Sequence, residues 1–186
     1  LSALLVLSPL FVPICIALRF SGEGEVLYRQ QRVGRGGRPF SLYKFATMLK
    51  DSPNIGTGTV TLKDDPRVLP LGRFLRKTKL NELPQLLNVL RGDMSLIGPR
   101  PQTQRCFDAF PASSQTAIVL VRPGLSGVGS IVFRDEEDLM HSSSNPEVLY
   151  DGVIMPYKGQ LEEWYVARSG AWLYLVLILV TAWVVL

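Results

Sequence analysis

One stretch of this 186-residue chain combines the residue types that handle phosphate groups. An adjacent amide and carboxylate, Asn81 and Glu82, follow a run of cations. The run consists of Arg67, Arg73, Arg76, Lys77 and Lys79. Arginine binds phosphate oxygens two at a time, and a carboxylate acts as a general base or as a ligand for a hard metal ion. The combination predicts a site for anionic, phosphorylated substrates.

A predicted helix positions this pair. Its apolar face has the i, i+3, i+4, i+7 spacing and consists of Leu83, Leu86, Leu87 and Leu90. Thr78 or Asn81 is the expected N-cap, and Arg91-Gly92 is the expected stop. Asn81 and Glu82 then fall in the first helical turn, where unpaired N–H groups and the helix dipole attract phosphate.

Two further polar residues follow this helix. Asp93 is a second carboxylate, which equally suits a cap for the following turn, and Arg100 is restricted by a proline on each side. Each residue of the stretch also has a purely structural explanation. Basic runs are commonly solvated faces, and Asp65 is explained at least as well as a turn cap before Pro66. A phosphate site is inferred because these basic and acidic residues occur together around the start of one helix.

The charge distribution favours anionic partners. Residues 19–100 contain 15 Lys or Arg against 7 Asp or Glu, whereas residues 101–186 contain 5 against 9. Phosphate groups, acidic lipids and nucleic acid all fit a basic half. A nucleic-acid partner is not expected, because the chain has no recognisable binding motif and no interleaved aromatic residues. Two distant cysteines and a single histidine exclude a zinc site of the usual spacing and a disulfide framework.

Both ends of the sequence are apolar and free of charge, over residues 1–18 and 169–186. The first segment contains Ser8-Pro9 and Pro13, so its helix must kink, and we expect it to enter the membrane and either return or span. A cleaved signal peptide is disfavoured, because a basic n-region and a small-residue cleavage site are missing. The tryptophans of the second segment suit a membrane interface. A buried core helix is the alternative for that segment.

Short elements are predicted between these ends. Strands at Val26–Tyr28 and Pro39–Tyr43 flank a glycine-rich turn at Gly34–Arg38, which lacks the pattern of a P-loop. Three other segments have simple interpretations. They are a loop at 51–65, a tight turn at 122–127 and a solvated acidic helix face at 134–138.

Several motifs together resemble one family, the monotopic phosphoglycosyl transferases of bacteria. They are the Ser8-Pro9 segment, YRQQRVGRGGRPFSLYKFATM, DDPRV, LRKTKLNELPQLLNVLRGDMSLIGPRP and VRPGLSG. The resemblance implies a membrane-associated α/β fold with a re-entrant, kinked N-terminal helix and a small mixed globular domain with interfacial helices. The corresponding segments are a membrane helix at 1–20, a catalytic domain at 21–168 and a membrane-associated helix at 169–186.

The resemblance also implies an activity. Such enzymes transfer a sugar phosphate from a nucleotide diphosphate-sugar, commonly a UDP-sugar, to a polyprenol phosphate such as undecaprenyl phosphate, and they release UMP. This is the first step of glycoconjugate or polysaccharide assembly, including exopolysaccharide. Mg²⁺ is the implied cofactor, and membrane lipids are implied partners. The implied location is the bacterial inner membrane with the catalytic domain facing the cytoplasm. Self-association is left open.

Residue roles follow from the matching positions. Asn81 stands at the nucleophile position of an acidic dyad, Glu82 is the general base or metal ligand, and Asp93 is a second catalytic candidate. The expected phosphate ligands are Lys44, Arg67, Arg76 and Arg100. Ser8 and Pro9 form the membrane kink.

The departure from the family pattern is Asn81, since a neutral amide cannot attack as a carboxylate does. Three interpretations remain at this point. Glu82 or Asp93 attacks, the two substrates react directly with each other, or the chain binds substrates without turnover.

Overall fold

The computed structural model describes residues 2–56, 64–141, 143 and 145–185. Helices predominate over a few short strands in these residues, which confirms the expected mixed α/β class. Across these same ranges, no helix has both the length and the apolar character that crossing a bilayer requires. The described chain divides into two compact units, which are treated separately below.

The first unit comprises Leu1–Arg29 and Leu42–Leu90. Its helices are α1 (Ser2–Arg19), α2 (Pro70–Lys77) and α3 (Gln85–Arg91), the last residue of which falls in the second unit. Strands β1 (Leu27–Val33) and β2 (Pro39–Phe45) form a two-stranded sheet, and each strand contributes residues to both units. A 3₁₀ turn at Arg35–Gly37 joins the strands, so the predicted hairpin with its glycine-rich turn is confirmed.

The core of the first unit is built from Leu18, Phe45 and Leu75. Phe11 and its neighbours on α1 pack against this cluster, and the Phe11 and Phe45 ring centroids are 5.5 Å apart. The helix assignment runs unbroken through Pro9. The side chain of Ser8 lies outside the described residues, and the re-entrant kink stays a prediction. One face of α1 is therefore a structural part of this unit.

A close backbone approach fixes the start of α2. Met48 and Val68 form an antiparallel bridge, and the Leu69 N–H donates to the Thr47 carbonyl at 3.0 Å. A Cβ atom on Gly72 would lie 2.1 Å from that same carbonyl oxygen, so only glycine fits there. The segment that leads to the predicted site is thus tied to the chain that follows β2.

The predicted helix over the Leu83–Leu90 face begins later than expected. Asn81 and Glu82 lie in a separate 3₁₀ turn, Leu80–Glu82, and α3 starts at Gln85. The prediction that both residues occupy the first turn of the helix was therefore wrong. Pro84 has no N–H to donate, and it separates the two elements.

The second unit comprises Gln30–Ser41 and Arg91–Leu186. Its strands are β3 (Ser95–Ile97) and β4 (Gly124–Ser126). Its helices are α4 (Gln104–Asp108), α5 (Ala112–Ile118), α6 (Val128–Val132), α7 (Glu136–His141), α8 (Pro146–Leu149), α9 (Met155–Arg168) and α10 (Ala171–Val185), with a π-helical turn at Tyr150–Ile154 before α9.

The segment predicted as a tight turn at 122–127 contains a strand instead. β4 pairs with β3 in parallel, in the register Ser95↔Gly124 and Ile97↔Ser126. The backbones approach so closely that a Cβ atom on Gly124 would lie 2.1 Å from the Gly98 nitrogen. A three-residue strand containing glycine shows no alternating pattern, which explains why the sequence did not reveal it.

Helix α10 buries one face in the second unit and exposes the other. Leu177 packs with Ile97 and Tyr165 in the core of this unit, and the Ser126 and Thr181 hydroxyls lie 2.9 Å apart. Both terminal apolar segments are therefore helical and each packs within one unit, although their membrane association and the predicted boundaries at 20 and 168 stay predictions.

Candidate active site

Leucine anchors hold the turn that carries Asn81 and Glu82. After α2 ends, Lys79 adopts a left-handed backbone (φ 58°) and reverses the chain, and the Glu82 N–H donates to its carbonyl at 3.0 Å. Leu80 and Leu83 on either side of the pair pack against the core of the first unit. The polar pair is thus fixed by apolar residues on both sides.

Glu82 forms an ion pair with Lys44 of β2. Their Oε1 and Nζ atoms are 3.7 Å apart, and the side chains are only 16% and 19% exposed. Such partial burial strengthens an ion pair relative to one in water, because the effective dielectric constant is lower. Two residues that the sequence predicted as a catalytic group and a phosphate ligand are thus brought together. A partly exposed carboxylate beside a cation can face an anionic substrate and a metal ion.

Asn81 is more deeply buried than Glu82. Its side chain is 6% exposed, and among the described residues its Oδ1 atom is buried without a hydrogen-bond partner. An unsatisfied buried carbonyl costs on the order of 1–3 kcal/mol, so such an atom commonly marks a functional position. The Oδ1 atom can accept a hydrogen bond or bind a cation, but it cannot form an acyl phosphate as a carboxylate would.

Arg67 is held inside the first unit by Asp65. The Arg67 Nε and Nη2 atoms lie 2.9 and 2.5 Å from the two Asp65 carboxylate oxygens, and Nη1 donates to the carbonyls of Ser52 and Ile55. The hydrogen bond that Arg67 donates to Asp65 raises the pKa of Arg67. Asp65 also accepts the Arg67 backbone N–H at 3.0 Å, which supports its interpretation as a turn cap. Phosphate binding by Arg67 stays a prediction, and in this structure its guanidinium links the segment before α2 to residues 52–55.

Arg76 lies on α2, half-buried, with its Nη1 atom 3.9 Å from the Met48 sulfur. It belongs to the first unit, as do Lys44, Asn81 and Glu82. Asp93 and Arg100 belong to the second unit. Asp93 is half-buried two residues before β3, and Arg100 is half-buried between the two buried prolines Pro99 and Pro101. Their predicted roles stay predictions.

A buried carboxylate that sequence reasoning missed holds the Arg100 backbone. Glu162 of α9 is 3% exposed and accepts hydrogen bonds from the Arg100 and Gly129 N–H groups. A Cβ atom on Gly129 would lie 2.5 Å from its Oε1 atom, so the glycine makes room for the carboxylate. Burial raises the pKa of Glu162 to about 7. Nothing in the sequence distinguishes it from its half-buried neighbour Glu163.

Lys158 is the second buried charge of α9, one helical turn before Glu162. It forms an ion pair with Glu136 and lies 5.2 Å from the centre of the Phe133 ring. Burial lowers the pKa of Lys158. The acidic run at 134–138 is therefore not wholly a solvated face, because Glu136 turns inward to this lysine.

Comparison with known proteins decides the family. The chain matches the bacterial sugar transferase family over residues 1–186. The chain belongs to the bacterial sugar transferases. This confirms the resemblance that its motifs indicated.

Three relatives of this bacterial sugar transferase illustrate the range of similarity. It is 36% identical to the exopolysaccharide production protein ExoY of Sinorhizobium fredii, over 72% of this chain and 65% of that protein. It is 32% identical to the undecaprenyl-phosphate galactose phosphotransferase of Salmonella typhimurium, over 98% and 38%. It is 41% identical to the UDP-glucose:undecaprenyl-phosphate glucose-1-phosphate transferase of Caulobacter vibrioides, over 67% and 47%. The chain thus spans less than two thirds of the length of these relatives.

The buried Asp65–Arg67 pair generates a prediction about stability. Replacing Asp65 with Ala leaves a buried guanidinium without its carboxylate, and we expect the free energy of unfolding to fall by about 3–5 kcal/mol. Glu25→Ala is the matched control, because it breaks the exposed Glu25–Lys50 pair and should cost no more than about 1 kcal/mol. Thermal and denaturant unfolding of both variants measure the difference. Equal, small losses would show that the Asp65 pair does not stabilise the fold.

The raised pKa of Glu162 predicts a pH dependence of stability. The folded protein keeps this proton up to about pH 7, whereas an unfolded glutamate releases it near its ordinary 4.5. The resulting stability is fully present below pH 4.5 and is lost as the pH rises to about 7, a loss of about 3 kcal/mol at 1.36 kcal/mol per pH unit.

Glu162→Gln cannot titrate, so the difference in unfolding free energy between wild type and this variant should carry that slope. The other charged groups of this region, Lys158, Glu136 and Arg100, are present in both proteins. A difference that stays constant between pH 4.5 and 7 would contradict the assignment.

Proposed function

We propose that this chain transfers a sugar phosphate from a UDP-sugar to a polyprenol phosphate and releases UMP, as the first step of polysaccharide assembly. The observation that carries the proposal is the Lys44–Glu82 ion pair beside the buried Asn81 amide, at the position of the family's reacting dyad. The names of the relatives support the substrate classes, because they include UDP-glucose and undecaprenyl phosphate. Neither the ion pair beside Asn81 nor the names of the relatives support a nucleic-acid partner.

The reaction joins two anions, so the site must offset their repulsion. In our proposal the bond between the β-phosphorus of the donor and the oxygen that bridges it to the α-phosphate breaks, and UMP leaves with that oxygen. A new bond forms from the β-phosphorus to a phosphate oxygen of the acceptor. Cations near the transferred group stabilise the charge that spreads over its oxygens. Lys44 and Arg76 are the residues of the first unit that we assign to this role.

We propose that the acceptor phosphate attacks the donor directly. Its oxygen is already ionised at neutral pH and needs no covalent carrier. Asn81 cannot supply a carboxylate, and Glu82 is committed to Lys44 at 3.7 Å, which lowers its availability as a nucleophile. Asn81 would orient a substrate group through its unpaired Oδ1 atom. Asp93 keeps a secondary role as a candidate carboxylate of the second unit.

Mg²⁺ is the cofactor that we propose. The Glu82 carboxylate and the Asn81 Oδ1 atom are oxygen donors of the kind that this ion prefers. The described residues contain no cluster of three or more His, Cys, Asp or Glu side chains, and Mg²⁺ is commonly bound by one or two carboxylates together with substrate phosphates. The donor set therefore fits, with Glu82 as the carboxylate ligand. When bound, the ion would neutralise negative charge on the diphosphate.

We also propose that the protein is associated with the bacterial inner membrane, with its catalytic part at the cytoplasmic face. The outer face of α10 supports this location, because Trp172 and Trp183 at its two ends are 80% and 85% exposed and Leu179 between them is also exposed. Tryptophan at both ends of an apolar helix is typical of a membrane interface. On α1, Val12 and Ile16 add exposed apolar surface. The re-entrant course of α1, with its kink at Ser8-Pro9, is part of the same proposal.

Loss of the Glu82 carboxylate tests the proposed function. With UDP-sugars, undecaprenyl phosphate and Mg²⁺, wild type should release UMP, and Glu82→Gln should lower the rate by about 10²–10³-fold, the range for loss of one group that stabilises charge in the transition state, because the carboxylate that would hold Mg²⁺ is gone. Glu25→Gln is the matched control, since it removes an exposed carboxylate of the same unit, and its rate should stay within about twofold of wild type.

Two outcomes would contradict the proposal. Full activity of Glu82→Gln would remove Glu82 from the mechanism. Absence of UMP release from wild type across a broad donor panel, with nucleotide sugar still bound, would show a binding protein that does not turn its substrates over, as the neutral Asn81 allows.

A further inference from the structure

The second unit contains an open cleft of about 300 Å³ that is positively charged. Of the described residues that line it, two are arginines, Arg35 and Arg122, and none is acidic. Both arginines are exposed, and within the described part of the chain neither guanidinium has a hydrogen-bond or ion-pair partner. Two such charges at one cleft raise the local concentration of anions.

Backbone contacts hold the two arginines in place. Arg35 lies in the turn between β1 and β2, where the Gly36 N–H donates to the carbonyl of Val119, close in sequence to Arg122, at 2.8 Å. The Arg122 guanidinium lies against Gly92, because a Cβ atom there would be 3.9 Å from its central carbon and from both terminal nitrogens. Equal distances to these three atoms place the glycine over the face of the guanidinium plane. The N–H groups at the edge of that plane are left for a ligand.

Hydroxyl groups add a hydrogen-bond donor to the cleft. The Ser95 and Tyr174 hydroxyl oxygens are 3.1 Å apart. Two hydroxyls that bond each other use one of their two protons, so this pair has one proton left to donate. The Tyr165 hydroxyl is already used, because it donates to the Ile97 carbonyl at 3.4 Å. Two guanidinium groups and one hydroxyl proton form a set of donors that suits the oxygens of a phosphate group.

The rest of the lining includes apolar side chains. Ile97, Leu120 and Val121 line the cleft, and Ile97 is buried whereas Leu120 is exposed, so the apolar lining extends from the core to the surface. Sites for small molecules commonly enclose about 300–1,000 Å³, with apolar walls and a few polar groups that fix the orientation of the ligand. The cleft lies at the lower end of this range. It therefore suits a small organic molecule that carries the phosphate group.

We propose that this cleft binds a small-molecule phosphomonoester, of the class that includes sugar phosphates and nucleoside monophosphates. A terminal phosphate carries about −1.5 to −2 charges at neutral pH, which matches the two arginines. A carboxylate or a phosphodiester carries one negative charge and would leave one guanidinium uncompensated. The apolar side chains contact the organic part of the ligand. The proposed function assigns no role to this cleft, so its ligand is an addition to that function.

Protection of individual arginines from phenylglyoxal, which modifies guanidinium groups, tests this site in the wild-type chain. The purified full chain in a nonionic detergent is modified at increasing concentrations of glucose 1-phosphate or UMP, and peptide mass spectrometry measures each arginine separately. At least one of these esters should protect Arg35 and Arg122 at the same half-protection concentration, because one phosphate group contacts both. Arg38 and Arg168 are exposed arginines of the same unit outside the cleft, and their rates should stay within about twofold.

A single substitution tests whether the two arginines share one ligand. Arg35→Gln should raise the concentration of the protecting ester that half-protects Arg122 by at least about tenfold, because its charge-assisted hydrogen bonds to the phosphate are lost. Arg38→Gln is the matched control, since it removes an exposed arginine at the end of the same turn, and its effect on Arg122 should stay within about twofold. Equal effects of the two substitutions would overturn the proposal.

Other results with wild type would also overturn it. Absence of protection at Arg35 and Arg122 by both esters would show that the cleft is empty of such ligands. Inorganic phosphate or acetate that protects as well as the better ester would show that the organic part, or the phosphate, is not recognised. UDP-glucose or undecaprenyl phosphate that protects at least about tenfold better than that ester would mark a substrate site instead. UMP release is measured on the same preparation, where turnover without protection rejects this cleft alone and protection without turnover rejects the proposed function alone.

Discussion

The ion pair between Lys44 and Glu82 is the interaction on which the proposed site depends. A carboxylate on a half-buried turn loses part of its hydration, and a nearby cation compensates for that loss. Lys44 supplies that cation from β2. The turn cannot move away from the lysine, because Leu80 and Leu83 are packed into the core beside Phe45 of the same strand. Apolar packing thus determines where the polar pair stands.

Elsewhere in the chain, buried charges hold irregular backbone in place. In the first unit, Asp65 and Arg67 bind the segment before α2, which has little apolar surface of its own to bury. In the second unit, Glu162 binds the backbone at Arg100 and Gly129, so that the proline-flanked arginine and the start of α6 share one carboxylate. Backbone N–H groups in such segments lack partners from helix or sheet, and a buried carboxylate satisfies two of them together. This explains why charged residues stabilise the loops of this fold.

The sequence predicted the elements whose patterns are local. The hairpin around Gly34–Arg38 and the two apolar terminal helices followed from turn residues and from uninterrupted apolar runs. Asn81, Glu82 and Lys44 were identified through motifs, and the structure brings Glu82 and Lys44 together. The 3₁₀ turn before α3 was missed, because the leucine spacing continues across Pro84 although the helix does not. Strand β4 was missed because only its partner β3, far away in sequence, makes it a strand.

The sequence predicted the burial of charged residues less well than it predicted helices and strands. Arg67 was predicted as a phosphate ligand, and an arginine in a basic run gives no sign that its guanidinium is buried against Asp65 and the carbonyls of Ser52 and Ile55. Glu162 and Lys158 give no sign in the sequence that they are buried, because their burial depends on α6 and α7, which pack there through non-local contacts. Asn81 differs, because its departure from the family pattern was visible in the sequence, and the structure adds that its Oδ1 atom is buried and unpaired.

In the proposed mechanism, a neutral Asn81 and a lysine-bound Glu82 support direct transfer between two bound substrates. Rapid-quench measurement of UMP in the first turnover, with UDP-sugar in excess over enzyme and with Mg²⁺ but without polyprenol phosphate, distinguishes this from transfer through the enzyme. Direct transfer gives no UMP until the acceptor is added, because no enzyme group carries the sugar phosphate. A burst of UMP equal to the enzyme concentration, with a phosphosugar attached to the protein, would contradict it.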